Sequence, residues 1–488
     1  MPPLHTKERK AGPNGARMAS MIIKNRCALE SVGDSRARKI VLEIAETVMQ
    51  SLDSHRIMHK VLRLDKGVLR IGESKWGLRS KRRLYVVGAG KAANAMARAT
   101  EEILGDSITR GLVIVKQLEE DDPLPHIELV AGGHPIPNES GLLASRRILR
   151  IVEGAGPDDL FISLISGGSS SLMNCPVDGI GLEDEQAASE MLLKSGARIG
   201  EINAVRRHIS ATNGGRLAQK IEAAGAELIN FIISDGLGAK PTIDPAQAVE
   251  FYATPVAADH TTIQDALNVL VKYDLSAKLP HVFKFLRDAT EEDETPKKLG
   301  ARVHHFLLGR PADACESAKW AAEQRGLTPC ILSTVLEGES REAGTFLASV
   351  AREVRLNNRP VAAPCLLIAG GETTTHVEGD CGEGGPSQEL ALSFAIEVAG
   401  HDGICLFAMD TDGSDGPTAI AGGLVDGTTA QRARERGLEP YKLLKAHDSS
   451  TVLKAVGDAI CTGNTGTNMC DLNLIYVSGH ALIQLGTD

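Results

Sequence analysis

Short apolar runs recur along the chain, separated by stretches with helical periodicity. The runs are Leu84–Val87, Leu112–Val115, Leu160–Ile165, Leu228–Ile233, Phe306–Leu308, Pro329–Ser333, Cys365–Ala369 and Ile404–Met409. Helical patterns cover Ser35–Leu52, Ala92–Leu104, Ala144–Val152, Ala314–Arg325 and Gly344–Asn357. Strands alternating with helices predict an α/β fold with mainly parallel sheets. The polar segment Ala289–Gly300 reads as a linker between two Rossmann-like domains, residues 34–288 and 301–488, and residues 1–33 read as a disordered tail. In such sheets ligands sit beyond the carboxyl ends of the strands, so the residues just after each run carry the functional information.

Those residues are rich in glycine. Gly88-Ala89-Gly90-Lys91-Ala92-Ala93 follows a strand and opens a helix, placing a lysine where backbone amides and the helix dipole attract an anion. It fits a dinucleotide fingerprint, but the next strand leads into Lys116 rather than an acid. Ser166-Gly167-Gly168-Ser169-Ser170 offers amides and hydroxyls to a phosphate or carboxylate. Arg206 lies in Val205-Arg206-Arg207-His208 and suits a carboxylate, although paired helix arginines are usually solvated. Asp235 ends another strand. Gly370-Gly371-Glu372-Thr373 and Gly463-Asn464-Thr465-Gly466-Thr467-Asn468 are further donor-rich loops. Asp410, Asp412 and Asp415, with Gly413 and Gly416, fail the EF-hand spacing but suit Mg²⁺ held through carboxylates and phosphates.

Composition narrows the classes. Glycine is 50 of 488 residues and aromatics are 3%, which disfavours a stacking platform for single-stranded nucleic acid. The net charge of −10 is uneven: residues 1–83 are basic and the remainder strongly acidic, which argues against general DNA binding. No apolar run is long enough to span a membrane. Nine scattered cysteines without a C-x-x-C pair point to a reducing compartment and away from a zinc motif. A cytoplasmic location is expected; the basic, nearly acid-free start keeps a mitochondrial one open.

Taken together the loops resemble the class II glycerate kinases, whose C-terminal half is the MOFRL domain. The resemblance rests on GAGKAA (Gly88–Ala93), GGHPIP (Gly132–Pro137), LISGGSSSL (Leu164–Leu172), INAVRRHIS and GGRLA (Ile202–Ala218), ISDGLG (Ile233–Gly238), EGESRE (Glu337–Glu342), GGETT (Gly370–Thr374), QELAL (Gln388–Leu392), TDGSDGPTAIAGG (Thr411–Gly423) and TGTN (Thr465–Asn468). It implies two α/β domains with the active site between them, and transfer of the ATP γ-phosphoryl group to D-glycerate with Mg²⁺, giving 2-phosphoglycerate or 3-phosphoglycerate. Lys91 matches the family's active-site lysine. On this reading Lys91, Asp235 and Asp412 are catalytic, and Ser166, Gly167, Gly168, Ser169, Ser170 and Arg206 bind substrate. Gly88, Gly90, Gly370, Gly371, Glu372, Thr373, Gly413, Asp415, Gly416, Thr467 and Asn468 hold nucleotide, and Asp235, Asp410 and Asp412 hold the metal. The chain departs from the family pattern at Asn213, Thr242–Ala253, Pro386 and Asn464. Two other readings stay open: an NAD(P)-dependent hydroxypyruvate reductase and a non-catalytic sugar-phosphate-binding protein. A homodimer also stays open; nucleic-acid and membrane partners are not expected.

Overall fold

The computed structural model describes residues 21–78, 83–118, 123–237, 254–377 and 379–479. Gly238, the divergent Thr242–Ala253 segment and residues 1–20 of the expected tail lie outside them. A small antiparallel sheet, β1 (Leu62–Asp65), β2 (Val68–Ile71) and β3 (Ser74–Gly77), precedes the first large one. That large sheet contains β4 (Leu84–Ala89), β5 (Arg110–Val115), β6 (Ile127–Ala131), β7 (Leu160–Ile165), β8 (Glu227–Ile233) and β9 (Val303–Gly309). Its order is β6-β5-β4-β7-β8-β9, with every pairing parallel. β4 and β7 are buried along their whole length, as near-continuous apolar runs covered on both faces must be. The chain runs outward from β4 through β5 to β6, then returns to β7 and builds the other side. The β4–β7 boundary is therefore the topological switch point, where such sheets bind ligands.

The second large sheet departs from the parallel expectation. It contains β10 (Thr328–Leu336), β11 (Cys365–Gly371), β12 (Ile404–Asp410), β13 (Gly422–Asp426), β14 (Ala459–Ile460) and β15 (Asp471–Val477), in the order β10-β11-β15-β12-β13-β14. Only β10 and β11 pair in parallel. No helix bridges β12 and β13, so the chain doubles straight back. β15 then inserts between β11 and β12, antiparallel to both.

The polar stretch Ala289–Gly300 is not the connection between the sheets. It leads into β9, which pairs with β8, and the chain passes to the second half only at Arg310–Pro311. Nor are residues 21–33 a free tail. Ile23 and Leu29 are fully buried, and Asn25 Nδ2 donates to the Ala459 carbonyl at 2.8 Å. The following helix, Ser35–Ser51, is capped by Asp34, whose carboxylate accepts from the Ala37 amide. Its buried Arg38 meets Asp426 of β13 and, at 2.9 Å, Asp458 beside β14. This N-terminal helix thus packs on the C-terminal sheet, and one apolar cluster runs from Val86, Met96 and Leu164 through Leu42 and Met49 to Phe407 and Leu474. A separate apolar cluster joins helices Leu182–Lys194, Ile199–His208, Ile263–Lys272 and Pro280–Asp288 beside the first sheet.

Candidate active site

The switch point joins the first two glycine loops. Gly90 has φ +145°, and a Cβ there would lie 2.1 Å from Ser166 Oγ, so only glycine lets the loops touch. The Ala92 amide donates to Ser166 Oγ at 2.9 Å, and the Lys91 amide donates to the Gly167 carbonyl at 2.9 Å. Locked in this way, the β4 loop aims the Lys91 side chain toward the second sheet. Its Nζ lies 2.7 Å from Asp412 Oδ2. Lys116, at the end of β5, donates from Nζ to Ser414 Oγ at 2.9 Å and lies 3.9 Å from Asp412.

The antiparallel insertion of β15 assembles the facing wall. Its first residue, Asp471, is in register with both Gly371 of β11 and Asp410 of β12. Glu372, just past β11, stands exposed beside Cys470, whose thiol donates to the Asp235 carbonyl at 2.6 Å. Asn468 donates from Nδ2 to Asp235 Oδ2 at 2.9 Å, so the C-terminal loop grips the strand end of β8. Carboxylates from both halves therefore face two ammonium groups.

Electrostatics sorts these acids. Burial opposes the Asp412 charge, but Lys91 and Lys116 outweigh it and hold the carboxyl below the usual range. Burial raises Asp235, with Lys91 only partly offsetting it. Asp410 is pushed up by burial and by the like charge of Asp412. Burial likewise opposes the Lys91 charge, but Asp412, Asp410 and Asp235 outweigh it, so the lysine stays an ammonium. His134 follows β6 against Gly168; burial and the nearby Lys91, Lys116 and Arg206 hold its imidazole neutral.

The structure thus gathers Lys91, Asp235, Asp410, Asp412, Asn468 and Gly167 where the strand ends of the two sheets meet. Thr467 is buried there with its hydroxyl unpartnered. Other expected residues go elsewhere. Gly88 is inside β4, where a Cβ would sit 2.3 Å from the Leu164 carbonyl oxygen, so it serves strand packing rather than ligand contact. Asp415 is spent inside the protein: its carboxylate accepts from the Ser387 and Gln388 amides at 3.0 and 2.9 Å, at the N-terminus of helix Pro386–Glu397. Gly370 and Gly371 are still within β11, Gly416 packs on Gly384 and Gly385, and the Thr373 amide donates to Asp471. Ser166 Oγ is tied to Ala92, Ser169 is buried, and the Ser170 carbonyl accepts from Asn213. Asp235, Asp410 and Asp412 do not converge into a three-carboxylate cage.

Arg206 is buried on its helix rather than solvated. It donates to Ser189 Oγ at 3.3 Å and to the Pro135 carbonyl at 3.2 Å, and it makes no ion pair among the described residues. Sequence reasoning left Lys116, His134 and Asp471 out of the site. The first two had a readable signal, since each follows a strand. Asp471 begins a strand, and only the β15 insertion brings it to this wall.

Residues 40–287 match a domain of unknown function (DUF4147), and residues 365–471 match the MOFRL family. A glycerate 2-kinase from Pyrococcus horikoshii is 38% identical over 446 residues, covering 90% of this chain and 97% of its own. A relative from Agrobacterium vitis with a provisional hydroxypyruvate reductase name is 40% identical over 400 residues, covering 82% and 88%. The crystal structure of a glycerate kinase from Thermotoga maritima superposes with a TM-score of 0.74 at 37% identity, covering 91% of this chain and all of that one.

Proposed function

The chain belongs to the MOFRL family of ATP-dependent glycerate kinases, and from that premise we propose that it phosphorylates the 2-hydroxyl of D-glycerate with Mg²⁺, giving 2-phosphoglycerate. The observation that carries this reading is Lys91: an ammonium kept charged between Asp412 and Asp235, on a glycine turn at the switch point. Phosphoryl transfer needs positioning and charge neutralisation more than covalent chemistry, and Lys91 is built to neutralise the moving group.

The aspartates divide the remaining work. Asp412 is paired with Lys91 and held ionised, so it is a weak proton acceptor and a good orienting group. Asp235 has its carboxyl raised toward the working range and sits against Gly167 of the substrate loop. It is the better acceptor for the glycerate hydroxyl proton. The donors fit a metal as well: the acids at these strand ends outnumber Lys91 and Lys116, although the cleft receives two anionic substrates. Asp410 and Asp412 would hold Mg²⁺ together with phosphate oxygens, which explains why no full carboxylate cage is needed. When bound, the ion offsets phosphate charge. Arg206 supplies a carboxylate partner for glycerate, and the unpartnered Thr467 hydroxyl supplies a donor for nucleotide.

The reductase reading lacks its acid. Lys116 stands where a dinucleotide ribose would need a carboxylate, and its ammonium is directed to Ser414. Phosphorus NMR of a reaction with D-glycerate and MgATP tests the proposal. It expects ADP and 2-phosphoglycerate. A 3-phosphoglycerate signal overturns the position, and hydroxypyruvate-dependent NADH oxidation without ADP overturns the reaction.

A further inference from the structure

We propose that His55, His59 and Glu102 form a binding site for a divalent transition metal of the zinc class, away from the cleft. His55 and His59 are four apart on helix Ser54–Val61, so their side chains share one face. The Asp53 carboxylate fixes the start of that helix by accepting from the His55 and Arg56 amides. Glu102 comes from the neighbouring helix Ala93–Leu104. The Nε2 atoms of His55 and His59 lie 2.9 and 2.8 Å from the same oxygen, Glu102 Oε2. The two rings are 4.6 Å apart and tilted by 54°, so both nitrogens point into one space.

All three potential ligand atoms lie within 4.8 Å of one another, and among the described residues no other trio of His, Cys, Asp or Glu does so. A tetrahedral zinc ion with bonds of about 2.0–2.2 Å needs ligand atoms roughly 3.3 Å apart. The present nitrogen–oxygen separations fall short by about half an ångström, a displacement these partly exposed side chains can make. Two imidazoles and one carboxylate suit zinc, cobalt, nickel or copper rather than magnesium or calcium. Binding uses the Nε2 lone pair of each neutral ring, with the proton on Nδ1, and leaves the fourth position to water.

The position gives the site a consequence. Helix Ser54–Val61 follows directly on Ser35–Ser51, which packs on the second sheet, whereas Ala93–Leu104 packs on the first. A metal here pins the chain where it crosses between the halves. Glu102 is near the far end of the helix that begins beside Lys91, so catalysis does not require the site.

The test is titration of EDTA-treated full-length protein with Zn²⁺ by calorimetry and with Co²⁺ by visible absorbance. Wild type is expected to bind one more equivalent of Zn²⁺ than the His55→Ala/His59→Ala variant and to develop cobalt ligand-field bands that the variant lacks. Glu102→Gln should weaken binding at least ~10-fold, since loss of even an outer partner has that effect. ADP release should be unchanged in both variants. Equal Zn²⁺ binding by wild type and the double variant, or no cobalt bands in wild type, overturns the proposal.

Discussion

Lys91 Nζ and Asp412 Oδ2 lie 2.7 Å apart, and the pair joins the switch point of the first sheet to the loop after β12 of the second. The two residues come from different halves of the chain, so this contact forms only with both halves in register. The pair is largely buried, and each partner holds the other in its charged form.

Gly167→Ala tests the closeness of that register. A Cβ at Gly167 would stand 1.8 Å from Asp235 Oδ2 and 1.9 Å from Asn468 Nδ2. The methyl group must wedge the loop after β7 away from both. Steady-state kinetics should show kcat/KM down by about 100-fold, with stability lower by about 1–3 kcal/mol from overpacking. Unchanged kinetics would mean that this contact does not shape the site.

Asp410→Asn tests the proposed metal-holding role apart from folding. Removing one of several like charges from this strand end should leave the melting temperature equal or higher. The Mg²⁺ concentration giving half-maximal rate should rise by about 10-fold or more. An unaltered Mg²⁺ dependence would remove Asp410 from the metal site.

Glu185 gives a pH signature. It is buried beside Asn174, which donates to it at 3.3 Å, and burial pushes its carboxyl from the usual 4.5 up to about 7. Between those values the folded chain holds a proton that the unfolded chain has released, so stability falls as pH rises through that window. Glu185→Gln should abolish this loss, which amounts to roughly 3 kcal/mol at most. Urea unfolding at pH 5 and pH 8 measures it: the variant should match wild type at pH 5 and exceed it at pH 8. Parallel pH profiles would contradict the assignment.

Arg38→Leu should unfold the docking of the N-terminal helix. The guanidinium is completely buried between Asp426 and Asp458, and its loss leaves buried carboxylates short of a partner. A cost of about 3–5 kcal/mol is expected in chemical denaturation. Arg432, 2.7 Å from Asp458, offsets part of the deficit, so Asp426 bears more of it.

In the first sheet β4, β5, β7 and β8 were legible because they are almost wholly buried and read as near-continuous apolar runs, as Leu160–Ile165 does apart from Ser163. β6, half-buried and interrupted by Glu128, was not. Nor were β13 and β15. Gly422-Gly423 weakens one as a strand signal, and Asp471 and Asn473 break the apolar run of the other, although both strands are buried. β9 was read only in part and assigned to the wrong side, because the polar stretch before it looks like a linker. In the fold Glu294 of that stretch lies 2.6 Å from His208, and Thr295 donates to Asp259. In the site, the glycine loops were visible because their donors are local in sequence. Which acid reaches the cleft was not. Asp412 and Asp415 are the same residue type three positions apart, and only the distant helix start at Pro386 takes the second one out of reach.

ADP release from MgATP and D-glycerate by wild type and Lys91→Ala, measured side by side, tests the central claim most directly. The account predicts glycerate-dependent release by wild type and a kcat lower by about 100- to 1,000-fold in the variant, the loss expected for one preorganised charge at the transferring group. Equal rates for the two proteins, or no glycerate dependence in wild type, would contradict it.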